Sequence, residues 1–191
     1  FEECDAVHSI IVAAHPDYCD RMRAVIADAG LAKVSSVIAG GDTRGQSVFN
    51  ALKALDEDTG RVLIHDGARP CITLNFVAGM IQTAVQDEAL VAGVPVKPTI
   101  KRADPVSLAV RETIPRDGLW EIQTPQIFEP DLLRQAYRQK EHEATDDAAL
   151  VERLGWDVRI FPGLEENIKV TTPHDLFVAE KILEERNQRR G

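Results

Sequence analysis

Arg61-Val62-Leu63-Ile64-His65-Asp66-Gly67-Ala68-Arg69-Pro70 decides how the rest of this 191-residue chain is read. Its first four residues form a short apolar run of the kind that fills a buried strand. The run stops at an acid and a base separated by small residues, with Gly67 and Pro70 preventing the strand from continuing. Open parallel sheets hold their ligands beyond the carboxyl ends of their strands. An Asp and an Arg at that point suit a phosphate with a divalent cation: Asp66 can offer oxygen to Mg²⁺ while Arg69 forks onto phosphate. The same two residues could equally form a turn pair that only fastens the loop.

On either side, short apolar runs alternate with helical patterns. Ser9 to Ala14, Val34 to Ala39, Leu90 to Val96 and Val158 to Ile160 read as further strands. Val48, Ala51, Leu52 and Leu55 recur at helical spacing, as do Val77, Met80, Ile81 and Ala84. Each set gives one apolar stripe to lay on a sheet. This order predicts a mostly parallel sheet covered on both faces, in one α/β domain spanning residues 1–191. Thr73 and Thr172-Pro173 are expected to start helices, and Thr145 or Asp146 to cap another. Phe1 to Val7 reads as the end of a helix running into the first strand. Residues 97–120 differ in kind: Pro98, Pro105 and Pro115 punctuate two extended segments, Thr99 to Arg102 and Ser107 to Ile114, as in a hairpin leaving the main sheet.

Composition narrows the function. A formal charge of −9 argues against general binding to nucleic acid or anionic membrane, so any phosphate ligand must be held by a local cluster of Arg and Lys. No apolar run approaches the roughly 20 residues needed to span a bilayer. Three scattered cysteines with no CxxC pair fit a reducing cytoplasm, and the histidines show no zinc-ligand spacing.

Two more loops fall where ligands are expected. Gly40-Gly41-Asp42-Thr43-Arg44-Gly45-Gln46-Ser47 follows a strand and enters a helix, where backbone N–H groups can bind a nucleotide or where the turn merely needs flexible backbone. Asn167-Ile168-Lys169-Val170-Thr171-Thr172-Pro173 brings Lys169 to a helix N-terminus at the same sheet edge, a favourable place for phosphate. Thr99, Arg116, Thr124 and Thr145 are weaker signals and, taken singly, read as structural.

Taken in order, residues 40–47 (GGDTRGQS), 63–71 (LIHDGARPC), 94–102 (VPVKPTIKR), 114–126 (IPRDGLWEIQTPQ), 143–150 (EATDDAAL) and 166–176 (ENIKVTTPHDL) resemble the successive signatures of the 2-C-methyl-D-erythritol 4-phosphate cytidylyltransferases. The resemblance runs from Ile10 to about Leu183. It implies a Rossmann-like nucleotidyltransferase fold with a β-hairpin dimerisation arm at about 97–120, a homodimer, and use of Mg²⁺. The implied reaction transfers CMP from CTP to 2-C-methyl-D-erythritol 4-phosphate, releasing pyrophosphate, in non-mevalonate isoprenoid precursor synthesis. Position by position, Gly40, Gly41, Asp42 and Ser47 would bind the nucleotide. Asp66 would sit by the metal and sugar phosphate, with Arg69 beside it and Lys169 neutralising phosphate, these three being the catalytic candidates. Thr124 and Thr145 would lie near the substrate, and Thr99 and Arg116 would reach the sugar phosphate of the neighbouring subunit. Gly67 stands where the family more often has Ala. The family's opening Gly-rich CTP loop, with its Arg and Lys, has no counterpart here, so the sequence is expected to be N-terminally incomplete. Two related readings share most of these residues, a ribitol 5-phosphate cytidylyltransferase and a non-catalytic nucleotide-binding protein.

Overall fold

Along the strand Ala89–Pro95, successive side chains feed two different cores. Ala89 and Val91 pack with Leu52, Phe128, Leu133, Tyr137 and Val151, whereas Leu90 and Ala92 pack with Phe76, Met80, Ala84 and Ile127. That alternation is the two-residue period of a strand with both faces covered. The computed structural model describes residues 1–139 and 144–189, so His142 and the tail end Arg190-Gly191 lie outside the described residues.

The elements run in the order β1 (Ile10–Ala14), a single 3₁₀ turn (Pro16–Tyr18), α1 (Cys19–Asp28), β2 (Val34–Ala39), α2 (Arg44–Leu52), β3 (Val62–Ile64), α3 (Leu74–Thr83), β4 (Ala89–Pro95), β5 (Ile100–Ala103), β6 (Val110–Ile114), β7 (Trp120–Phe128), α4 (Pro130–Tyr137), α5 (Asp147–Glu152), β8 (Arg159–Pro162) and α6 (Pro173–Gln188). The central sheet has the order β3-β7-β4-β8, while β1 and β2 form a parallel pair and β5 and β6 an antiparallel hairpin. The α/β architecture follows the sequence reading, as do the strands at Val34 and Leu90 and the hairpin at 97–120.

One central strand departs from that reading. β7 pairs antiparallel with both β3 and β4, so β3, β4 and β8 share one direction and β7 opposes them. The ladder between β4 and β7 shifts register between Val91 and Gly93, which face Gln126 and Ile122. Pro125, which has no N–H to give, lies in the stretch where the ladder is interrupted. The Thr124-Pro125 peptide is cis.

Helix starts obey capping chemistry. Thr73 accepts from the Phe76 N–H, and Asp146, rather than Thr145, accepts from Ala149. Thr172 and Asp175 form a reciprocal capping box on either side of Pro173, the first residue of α6. Phe1 to Val7 is not a helix end but two successive turns, closed by Cys4 N–H to Phe1 O and Val7 N–H to Cys4 O. Glu2 accepts from the Ala32 and Lys33 N–H groups, so the segment is fastened side-on to the chain before β2. Cys4, Cys19 and Cys71 are all buried free thiols. Among the described residues, no helix is long and apolar enough to cross a membrane.

Candidate active site

Beyond the carboxyl end of β3 the chain turns sharply, and a ring of hydrogen bonds fixes the turn. The Asp66 N–H donates to Thr124 Oγ1 on β7 at 3.0 Å, and Thr124 Oγ1 lies 3.2 Å from His65 Nδ1. His65 Nε2 is 3.1 Å from the Arg69 carbonyl, which can only accept. The neutral ring therefore carries its hydrogen on Nε2, and the Thr124 hydroxyl donates to Nδ1. Burial pushes the His65 pKa below its ordinary value, which favours that neutral form. The ring holds Asp66 and Arg69 three residues apart in one orientation. A Cβ added at Gly67 would meet no atom within 4 Å, so the Ala more usual in the resembling family would fit here.

The loop before α6 is bound to this turn. Val170 donates to the Ala68 carbonyl at 2.7 Å, and Arg69 Nη1 to the Asn167 carbonyl at 2.7 Å. Asn167, fully buried, donates to the Thr124 carbonyl at 2.8 Å. Lys169 is thereby delivered to the same place, its Nζ 2.9 Å from Asp66 Oδ2.

The third loop arrives through Arg44, the first residue of α2. Its Nε donates to Asp66 Oδ1 at 3.0 Å, and its Nη2 forms an ion pair at 2.7 Å with Asp147 Oδ2, which is buried in the first turn of α5. The Tyr137 hydroxyl donates to the other oxygen of Asp147. Burial opposes the charge on Arg44, but Asp147 and Asp66 outweigh it and raise the guanidinium pKa above its ordinary value. Burial would likewise raise the Asp66 pKa, but Lys169 and Arg44 prevail and hold it below the usual carboxylate range. The Tyr137 phenol is pushed up by burial and by Asp147.

Ahead of Arg44, the glycine turn is drawn tightly onto its own helix. The Gly41 N–H donates to Ser47 Oγ at 3.1 Å and the Asp42 N–H to Gln46 Oε1 at 2.8 Å. A Cβ on Gly41 would lie 2.4 Å from the Gln46 Cβ, so the turn closes only without a side chain there. Gly40 donates to the Ala14 carbonyl at the end of β1, and Asp42 stands exposed two residues before Arg44.

The structure thus brings together Asp66, Arg69, Lys169 and Thr124, and ties the loop of Gly40, Gly41, Asp42 and Ser47 to them through Arg44. It does not bring in Thr145, exposed just ahead of the α5 cap, nor Thr99 and Arg116, exposed at the base of the hairpin. Arg116 Nη1 donates to the Lys97 carbonyl within that base. Between the hairpin base and the Lys169 loop lies an open hollow of about 570 Å³, lined by Arg69, Lys97, Glu121, Gln123, Glu165 and Lys169 among others. That volume suits a small phosphorylated ligand. For a divalent cation the protein supplies little by itself. Among the described residues no group of three or more His, Cys, Asp or Glu side chains could hold one, and both Asp66 oxygens already face cations. The donor set fits Mg²⁺ only as one carboxylate oxygen beside ligands brought by a substrate, the usual habit of that ion.

Arg44, His65, Asp147, Tyr137 and Asn167 were not singled out from sequence. Arg44 had a usable signal: a cation at a helix N-terminus opposes the helix dipole and needs carboxylates close by. His65 and Asn167 sat inside quoted motifs, but their role is to join loops distant in sequence, which no local pattern reveals.

Comparison with known proteins places the chain in a family and supports its fold. The family model described as 2-C-methyl-D-erythritol 4-phosphate cytidylyltransferase matches residues 1–185. The protein of that description from Alkaliphilus oremlandii is 44% identical over 194 aligned positions, covering 100% of this chain and 82% of the relative. Its counterpart from Halalkalibacterium halodurans is 43% identical, covering 99% and 83%. The crystal structure of 4-diphosphocytidyl-2C-methyl-D-erythritol synthase from Anaerococcus prevotii superposes with a TM-score of 0.81 at 29% identity, over 93% of this chain and 82% of that one.

Proposed function

The chain belongs to the 2-C-methyl-D-erythritol 4-phosphate cytidylyltransferase family, and we propose that the rim formed by Asp66, Arg69 and Lys169 is where it joins CMP from CTP to 2-C-methyl-D-erythritol 4-phosphate. The products are 4-diphosphocytidyl-2-C-methyl-D-erythritol and pyrophosphate. The observation that carries this assignment is the meeting of three loops, from Gly40, His65 and Asn167, in one cationic cluster beside a hollow of about 570 Å³.

The reaction needs no protein nucleophile. A phosphate oxygen of the methylerythritol phosphate attacks the α-phosphorus of CTP, a new P–O bond forms, and the bond to pyrophosphate breaks. Both reactants are anions, so alignment and charge neutralisation are the protein's contribution. Arg69 and Lys169 line the hollow and would receive the polyol phosphate, while the Gly40 to Ser47 turn would receive the cytidine. Thr124 holds the loop on which Asp66 and Arg69 stand. Mg²⁺ would draw charge from the polyphosphate, with Asp66 giving it one oxygen once Lys169 turns to phosphate. Thr99 and Arg116, at the base of the hairpin, would act on the partner's site in a homodimer, and the free buried cysteines suit a reducing cytoplasm.

The deciding assay is pyrophosphate release from CTP and Mg²⁺ with either 2-C-methyl-D-erythritol 4-phosphate or ribitol 5-phosphate. Methylerythritol phosphate should be preferred by about tenfold or more in kcat/KM. Equal or greater turnover of ribitol 5-phosphate by the full-length protein would reassign the substrate, and CTP binding without release would leave a nucleotide-binding protein.

A further inference from the structure

Arg44 stands outside the residues that would touch phosphate, yet it ties the nucleotide turn both to Asp66 at the rim and to Asp147 of α5. It opens α2, two residues after Asp42, and is one-third exposed. Its guanidinium spans two carboxylates of unlike surroundings. Asp66 lies at the rim, 13% exposed, and Asp147 is fully enclosed. Asp147 is itself held from behind by the Tyr137 hydroxyl, and Tyr137, 2% exposed, has its ring stacked on Phe49 of α2 at 6.1 Å. Gln126 of β7 fixes α5 from the other side, donating to Asp146 and accepting from the Ala148 N–H.

The two cations hydrogen-bonded to Asp66 therefore differ in mobility. Arg44 is clamped at Oδ1 by a buried carboxylate and a buried phenol. Lys169 reaches Oδ2 on a flexible stem, 42% exposed and on the wall of the hollow. An arriving phosphate can draw Lys169 away, but Arg44 has no such freedom, because moving it would strand the charge of Asp147 in the interior.

We propose that Arg44, anchored by Asp147 and Tyr137, is the positioning residue for Asp66: it keeps Oδ1 fixed while Lys169 exchanges between Oδ2 and the substrate phosphate, and it locks the nucleotide turn to the phosphate rim. This rests on the proposed reaction. It adds a residue that meets no reacting atom and acts through Asp66.

The test is steady-state kinetics of the full chain carrying Arg44→Gln or Arg44→Lys, with melting temperatures of each. Arg44→Gln should lower kcat by about tenfold to a hundredfold while each KM moves by less than about threefold, since the lost geometry matters in the transition state. Lys cannot fork onto both carboxylates, so the two variants should melt alike. Its ammonium can still reach Asp66, and Arg44→Lys should recover about tenfold of the lost kcat. A kcat for Arg44→Gln within about twofold of wild type, a loss carried by KM alone, or an Arg44→Lys variant no faster than Arg44→Gln would each overturn the positioning role. Should Arg44→Gln fail to fold, Tyr137→Phe decides. It removes only the hydroxyl behind Asp147 and should lower kcat by about threefold or more, an unchanged kcat counting against the proposal. If the full-length wild-type protein releases no pyrophosphate with either polyol phosphate, the assigned reaction fails and the role of Arg44 with it.

Discussion

Asp66 and Asp147, which share Arg44, together have one more cation around them than they can neutralise. Arg44 at 3.0 Å, Lys169 at 2.9 Å and Arg69 at 3.7 Å face the Asp66 carboxylate, in a chain whose formal charge is −9. The surplus leaves the rim locally cationic on an otherwise acidic molecule, which suits the two phosphorylated reactants of the proposed site. It also links Asp66 to stability. A carboxylate whose folded pKa is depressed favours the folded state above its unfolded pKa of about 4, and that contribution disappears as pH falls through the lower folded value. Asp66→Asn should therefore unfold at lower urea than wild type at neutral pH, with the gap narrowing on acidification below about pH 4. Parallel stability curves across that range would show that Asp66 does not titrate against its three cations.

At the scale of elements, α2, α3, β2 and β4 were legible because packing and local preference agree in them. Thr73 illustrates this: the N-cap, the apolar stripe and the buried Val77, Met80 and Ala84 all place α3 where the pattern does. Thr73→Ala should cost about 1 kcal/mol and lower the melting temperature by about 2–4 °C, with kcat unchanged. No measurable shift would mean that another donor caps the helix. β7 was illegible for the opposite reason. Its Gln123, Thr124, Pro125 and Gln126 argue against a central strand, yet Gln123, Thr124 and Gln126 are all buried. They are spent on joining loops: Thr124 to Asp66, Gln123 to the Leu164 carbonyl, Gln126 to α5. Sequence pattern failed where buried polar side chains join loops distant in sequence, a demand that no local period records. The same logic separates the site residues. Asp66, Arg69 and Lys169 were readable because each follows a strand or precedes a helix in its own motif. Arg44 and Asp147 acquire their meaning only from contact across more than a hundred residues of chain.

At the scale of the whole molecule, the hairpin of β5 and β6 stands apart from both cores. Val106 is 91% exposed, Leu108 75% and Val110 60%, an apolar tip on a polar surface. Its base, by contrast, borders the hollow at Lys97 and Pro98, and Arg116 is pinned there to the Lys97 carbonyl. Such an arm suits exchange between two copies, each covering its tip on the other and lending Thr99 and Arg116 to the other's rim. That arrangement has an arithmetic consequence. Arg116→Ala would disable the partner's site, whereas Asp66→Ala would disable its own. In a mixed dimer both defects then fall on one site and the other is whole. Random pairing at equal amounts makes about half the dimers mixed, so co-expressed variants should regain about a quarter of wild-type activity although each alone is nearly inactive. If each chain instead completes its own site, both sites of every mixed dimer carry a defect, and the mixture will be no more active than its parts.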